Sequence, residues 1–135
     1  MLEAVPNVSE GRDRSAISTI ERAFGGDASV LDVHSDSDHH RSVFTLVGPP
    51  GGLADALLAG IATTVALVDL RSQSGVHPRV GAVDVVPLVP FPHDDMELAM
   101  ETARNVSRRI GDDLELPVFE YGEIGGGRRP AYFRR

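Results

Sequence analysis

The stretch Ser42-Val43-Phe44-Thr45-Leu46-Val47-Gly48-Pro49-Pro50-Gly51-Gly52 decides the fold. After Ser42, residues 43–47 are β-branched, aromatic or apolar, so Ser42 to Val47 reads as a strand, and the Gly/Pro run stops it. Immediately downstream, Leu53, Leu57, Ile61, Val65 and Val68 form an apolar stripe at helical spacing. Ala54, Ala56, Ala59 and Ala62 raise helix propensity there, while Thr63 and Thr64 lower it slightly. Upstream, a polar segment, residues 34–41, containing the turn Ser35-Asp36-Ser37-Asp38, separates this strand from another β-branched apolar run, Ala28 to Val33. A ββα unit therefore lies at the centre of the chain.

The flanks complete the order. Leu2 to Val8 reads as a first strand, with Pro6 demoting its end to an edge or turn. Ser9 fits an N-cap with Glu10 in the first helical turn. Ile17, Ile20 and Phe24 share a helical face, and Gly25-Gly26 ends that helix. Ala82 to Phe91 is a fourth strand whose nearly continuous apolar character suggests a central position, with Pro87 implying a bulge or irregular pairing. Asp94-Asp95 opens a third helix with Met96, Ala99, Ala103, Val106 and Ile110 as its core face and Arg108 and Arg109 in its last turn. Leu116 to Tyr121 reads as a fifth strand.

The order is βαββαβ followed by αβ. It predicts an α+β fold, a ferredoxin-like split βαβ sheet with an added αβ unit. Right-handed crossovers put the helices on one face, so the other face needs a cover: a second domain, a partner subunit or a substrate.

Bulk properties narrow the function. The chain has 135 residues, a net charge of −7 and no cysteine. One domain with a real core is expected. The acidic balance argues against a duplex nucleic-acid binder. The absence of cysteine removes disulfides, thiolate nucleophiles and Cys-type zinc sites. No run of about 18 apolar residues suggests a membrane span, and the N-terminus lacks signal-peptide character. A cytoplasmic protein is the expectation.

The densest chemistry is Ser74-Gly75-Val76-His77-Pro78-Arg79-Val80-Gly81-Ala82-Val83-Asp84. An imidazole can accept and return a proton near neutral pH. Pro78 holds His77 extended, Gly75 and Gly81 permit close backbone approach, and Arg79 offers a planar fork for a carboxylate. The plain alternative is a surface histidine in a Gly/Pro turn, with Arg79 paired to Asp84.

Two further motifs are weaker alone. Pro6-Asn7-Val8-Ser9-Glu10-Gly11-Arg12 is a strand-to-helix junction, where free N–H groups attract anions. Capping explains Ser9 and Glu10 but not Asn7 or Gly11. His34-Ser35-Asp36-Ser37-Asp38-His39-His40-Arg41 invites a metal, yet no spacing in it is a recognised ligand set, so no metal is expected. Arg41 stands where a guanidinium can reach over a sheet edge to an anion.

These motifs, with Asp32 and Arg41-Ser42-Val43-Phe44-Thr45-Leu46-Val47-Gly48, then His77-Pro78-Arg79-Val80-Gly81-Ala82-Val83-Asp84, then Val118-Phe119-Glu120-Tyr121-Gly122-Glu123, resemble the amino-terminal subdomain of glutamate formiminotransferases. The resemblance spans nearly the whole chain. It implies a subdomain over residues 1–124, an irregular Gly/Arg-rich tail over 125–135 and a second subdomain that completes the folate cleft. It implies transfer of a formimino group from N-formimino-glutamate to N5 of tetrahydrofolate, a step of histidine degradation and one-carbon metabolism. Folate would be a co-substrate, with no bound cofactor or metal. His77 would be the catalytic acid/base, with Asn7, Arg41, Arg79 and Gly81 binding substrate, in a homodimer or beside a partner second subdomain. His40 stands where relatives often have Asn. Two other readings stay open: a non-catalytic folate or acyl-glutamate binding module, and a small amidine or amide hydrolase using His77 on water.

Overall fold

Arg41–Gly48, the long strand β4, organises the sheet. Its even-numbered residues Ser42, Phe44, Leu46 and Gly48 are buried and the odd ones only half so, because successive side chains on a strand point to opposite faces. The computed structural model describes residues 1–26, 28–68, 83–90 and 96–114. In chain order they form β1 (Leu2–Ala4), β2 (Asn7–Val8), α1 (Arg14–Phe24), β3 (Ser29–Asp36), β4, α2 (Pro50–Leu67), β5 (Val83–Val85), β6 (Leu88–Pro90) and α3 (Met96–Leu114).

Among the described residues all strand pairs are antiparallel. On one side β4 pairs with β3, and on the other with β1 through Ala4↔Leu46 and with β2 through Asn7↔Val43. β1 and β2 pair in turn with β6 and β5. Two prolines explain why these strands come in pieces. Proline has no N–H for the ladder, and Pro6 and Pro87 lie in the gaps between β1 and β2 and between β5 and β6. Their carbonyls still bond across strands: Phe44 N–H donates to Pro6 O and Val5 N–H to Pro87 O, both at 3.1 Å. Irregular pairing at Pro87 is thus observed, but the edge position inferred from Pro6 is not. Residues 2–8 run between β4 and the 83–90 segment. Conversely, among the described residues the apolar 83–90 segment pairs on one side only, not centrally.

The hairpin is longer than its sequence suggests. β3 continues to Asp36, through residues read as a turn, because Ser35 Oγ and Ser42 Oγ share a hydrogen bond of 2.8 Å and Asp36 pairs with Arg41. The turn shrinks to residues 37–40. A register shift between Val30 and Asp32 leaves Leu31 extra, and it is exposed.

The three helices share one core with the sheet. Ile17, Ile20 and Phe24 of α1, Leu53, Leu57 and Ile61 of α2, and Ala99, Val106 and Ile110 of α3 pack with Leu2, Ala4, Phe44 and Leu46. Phe24 and Phe44 rings lie 5.1 Å apart. Phe24 also fits over Gly60, where a Cβ would come within 2.2 Å of its ring.

Each helix differs in some detail from the sequence reading. The N-cap of α1 is Asp13, not Ser9: its carboxylate accepts from Ala16 N–H. Gly25 ends the helix as expected. The buried face of α2 includes Leu53, Leu57, Gly60, Ile61 and Thr64, while Val65 is exposed and Val68 lies beyond the helix. Steps of four residues drift by about 40° on a helix of 3.6 residues per turn, so Val65 has rotated away from Leu53. By length and composition α2 is apolar enough to cross a membrane, yet its Leu53, Leu57, Leu58 and Ile61 side chains are buried in this core. In α3, Thr102 replaces Ala103 on the buried face, its hydroxyl donating to Leu98 O, and Met96 is exposed. Arg108 and Arg109 are not in the last turn, because the helix continues to Leu114. Arg109 instead pairs with Asp55 of α2 at 2.8 Å. Asp94-Asp95, the fifth strand and the 125–135 tail lie outside the described residues.

Candidate functional site

Register puts Asn7 and Arg41 on one surface. Asn7 pairs with Val43, and Arg41 lies two residues from Val43 on the same strand, on the face opposite Phe44 and the helices. Such diagonal neighbours are about 7–8 Å apart. Asp32 and His34 of β3 share that face, opposite Thr45 and Val43. Both are exposed. Asn7 Nδ2 donates to Val5 O at 2.9 Å, which orients the amide.

Behind this surface the loop after β2 is locked onto the β3–β4 turn. Gly11 presses against backbone: a Cβ there would lie 2.4 Å from both Arg41 N and Asp36 O. Gly11 N–H donates to His40 Nδ1 at 3.0 Å. His40 is buried and has φ 54°, a left-handed conformation uncommon outside glycine. Glu10, also buried, accepts from the N–H groups of Arg12 and Asp13 with one carboxylate oxygen, each at 3.0 Å. That same oxygen lies 3.4 Å from His40 Nδ1. One nitrogen cannot accept from Gly11 and also donate to Glu10. The Gly11 bond is shorter and its donor is a backbone N–H of fixed polarity, so Nδ1 is the acceptor and the neutral ring carries its proton on Nε2. Ser42 Oγ donates to Glu10 O, and Arg12 Nε donates to Ser37 O at 2.8 Å.

At the tip of the turn, Asp36 accepts from the backbone N–H groups of His39 and Asp38 and from the His39 ring at 2.7 Å. The His39 backbone bond, then its ring, hold the Asp36 carboxyl below its usual range. The histidine-rich motif is thereby divided: His39 caps the turn, His40 is buried and His34 lies on the sheet face opposite the described helices. Among the described residues no group of three or more His, Asp or Glu could hold a metal.

Of the residues singled out in the sequence, the structure brings Asn7 and Arg41 together. His77, Arg79 and Gly81, and the side chain of Asp84, lie outside the described residues. Sequence reasoning missed the roles of Glu10 and His40. The available signal was Gly11, a glycine that helix capping did not explain.

Comparison with known proteins decides the family. The family described as "Formiminotransferase domain, N-terminal subdomain" matches residues 1–130. The chain belongs to this family. Among formiminotransferase relatives, the chain is 40% identical over 125 residues to "Glutamate formimidoyltransferase" of Thermoplasma acidophilum, covering 91% of this chain and 41% of that protein. It is 34% identical over 124 residues to the protein of the same name from Streptococcus pyogenes serotype M1, covering 90% and 41%. "Formimidoyltransferase-cyclodeaminase" of Rattus norvegicus is 34% identical over 125 residues, 91% of this chain and 23% of that protein. The chain thus spans about two fifths or less of these relatives' lengths.

Proposed function

We propose that this chain is the catalytic amino-terminal half of a glutamate formimidoyltransferase. The observation that carries the reading is the family match over residues 1–130. The placement of Asn7 and Arg41 on one sheet face, opposite the described helices, agrees with it. The fold is read as ferredoxin-like, supported by the antiparallel order 83–90, 2–8, 41–48, 29–36 and by helices after the first and third of these segments along the chain.

In this reading Arg41 and Arg79 hold the carboxylates of N-formimino-glutamate, and Asn7 and Gly81 contact the substrate through amide and backbone. N5 of tetrahydrofolate attacks the formimino carbon, forming a C–N bond and a tetrahedral intermediate. His77 takes the proton from N5 and delivers it to the glutamate nitrogen as the old C–N bond breaks. The products are glutamate and 5-formimino-tetrahydrofolate, with no net gain or loss of protons. The relatives' greater length supports a second subdomain that completes the folate cleft.

The test is glutamate release from N-formimino-glutamate with and without tetrahydrofolate, measured on the protein that carries this chain. Release that requires folate is expected. Release without folate would mean a hydrolase, and binding without release a binding module. Replacing His77 by Ala should lower folate-dependent turnover by about 10²–10⁴-fold, the range for loss of a general acid/base. Unchanged turnover would remove His77 from the chemistry.

A further inference from the structure

Glu10, Gly11 and His40 form a buried polar cluster beside the sheet face that carries Asn7 and Arg41, with no place in the chemistry proposed above. His40 immediately precedes Arg41, and Gly11 lies against the peptide groups on both sides of Arg41: a Cβ there would be 2.4 Å from Arg41 N and 2.8 Å from Arg41 O. Gly11 follows Asn7 by four residues. Any change in the Gly11–His40 contact therefore moves the backbone that carries one binding side chain relative to the backbone that carries the other. A left-handed histidine persists only where its surroundings over-determine it. Here they do: Gly11 N–H donates to Nδ1, Gly11 is pressed against Arg41 N and O, and Asp36 pairs with Arg41 across the turn.

We propose that His40 is a positioning residue: gripped by Gly11 beside Glu10, it sets the Arg41 peptide against the loop after β2 and so places the Arg41 side chain relative to Asn7. It does not touch substrate. Its effect on substrate affinity rests on the transferase reading, whereas its effect on Arg41 and Asn7 does not.

The test uses nitrogen-15 NMR of the full chain. The ring nitrogens of His40 should show Nδ1 without a proton at neutral pH; a protonated Nδ1 would overturn the arrangement. Two variants separate ring from backbone. His40→Gly accepts φ 54° but has no acceptor for Gly11, whereas His40→Asn tolerates the left-handed region and retains an acceptor. His40→Gly should shift the Arg41 Nε–H and Asn7 amide signals, leave the core signals of Ile20 and Leu57 in place, and weaken binding of N-formimino-glutamate about tenfold, or by about 1.4 kcal/mol. His40→Asn should restore both. The proposal fails if His40→Gly leaves the Arg41 and Asn7 signals unmoved, or if His40→Asn behaves like His40→Gly. If the unmodified protein that carries this chain does not bind N-formimino-glutamate, the transferase reading is at fault, and the two side-chain signals alone decide the role of His40. If His40→Gly does not fold, His40→Ala, which also lacks the acceptor, is compared with His40→Asn: an Arg41 signal displaced in His40→Ala but not in His40→Asn supports the proposal, and the same Arg41 signal in both overturns it.

Discussion

Gly11 and Gly60 are both glycines at a crowded contact, and they crowd against different things. At Gly60 the missing Cβ makes room for the Phe24 ring, a side chain with some freedom to shift. At Gly11 it makes room for the backbone of Asp36 and Arg41, which sits in a paired hairpin and cannot retreat. The first contact closes the helical layer over the sheet. The second locks a loop to the turn that precedes Arg41. The lesson is that core and site are closed by the same absence of a side chain, yet damage should appear as lost stability in one region and lost geometry in the other.

The most severe way to strain this contrast is Phe24→Ala. It empties the space between Gly60 and Phe44 and should cost about 3–5 kcal/mol in urea unfolding, while the Arg41 and Asn7 signals of the remaining folded protein stay in place. If those signals move, core and site are not separable. Next comes the pair Gly60→Ala and Gly11→Ala. Overpacking at Gly60 should cost about 1–3 kcal/mol with the Arg41 surroundings unchanged. Gly11→Ala should displace the Arg41 signals even in molecules that remain folded, and equal behaviour of the two variants would erase the distinction. A smaller effect is expected at Asp13→Ala, which removes the cap of α1 and should cost about 1 kcal/mol in thermal or urea unfolding. Ser9→Ala, by contrast, leaves that cap intact, so a helix-specific loss there would return the cap to Ser9.

The mildest prediction concerns pH. Bonds from His39 lower the Asp36 carboxyl below its ordinary value of 3.8. A lowered folded-state value means the carboxylate's contribution is complete above about pH 4, the unfolded range for Asp. It is lost as pH falls through the folded value. The stability difference between the protein and Asp36→Asn should therefore be flat above about pH 4 and shrink below it. A difference that grows with acid would reverse the sign.

Much of the fold was legible in particular residues. Pro87 announced a broken strand, Gly25 ended α1 where expected, and the β-branched runs around Ser42–Val47 gave the right strand order. The candidate site was legible only in its outward parts. Asn7 and Arg41 stood out as polar residues beside apolar strands. Glu10 and His40 did not, because a Glu after a Ser resembles a helix cap and a His in a polar turn resembles a solvated one.

What the sequence determined alone was local: which segments carry period 3.6 or period 2, and where glycine and proline interrupt them. Those signals arise within a few residues, from backbone sterics and the spacing of apolar side chains. Tertiary structure decided what depends on distant partners. It placed the Pro6 strand inside the sheet, chose Asp13 over Ser9 as cap, and turned the buried face of α2 away from Val65. It also buried His40 against a loop 29 residues away in sequence. Burial and long-range hydrogen bonds are properties of pairs, and no single segment contains both members.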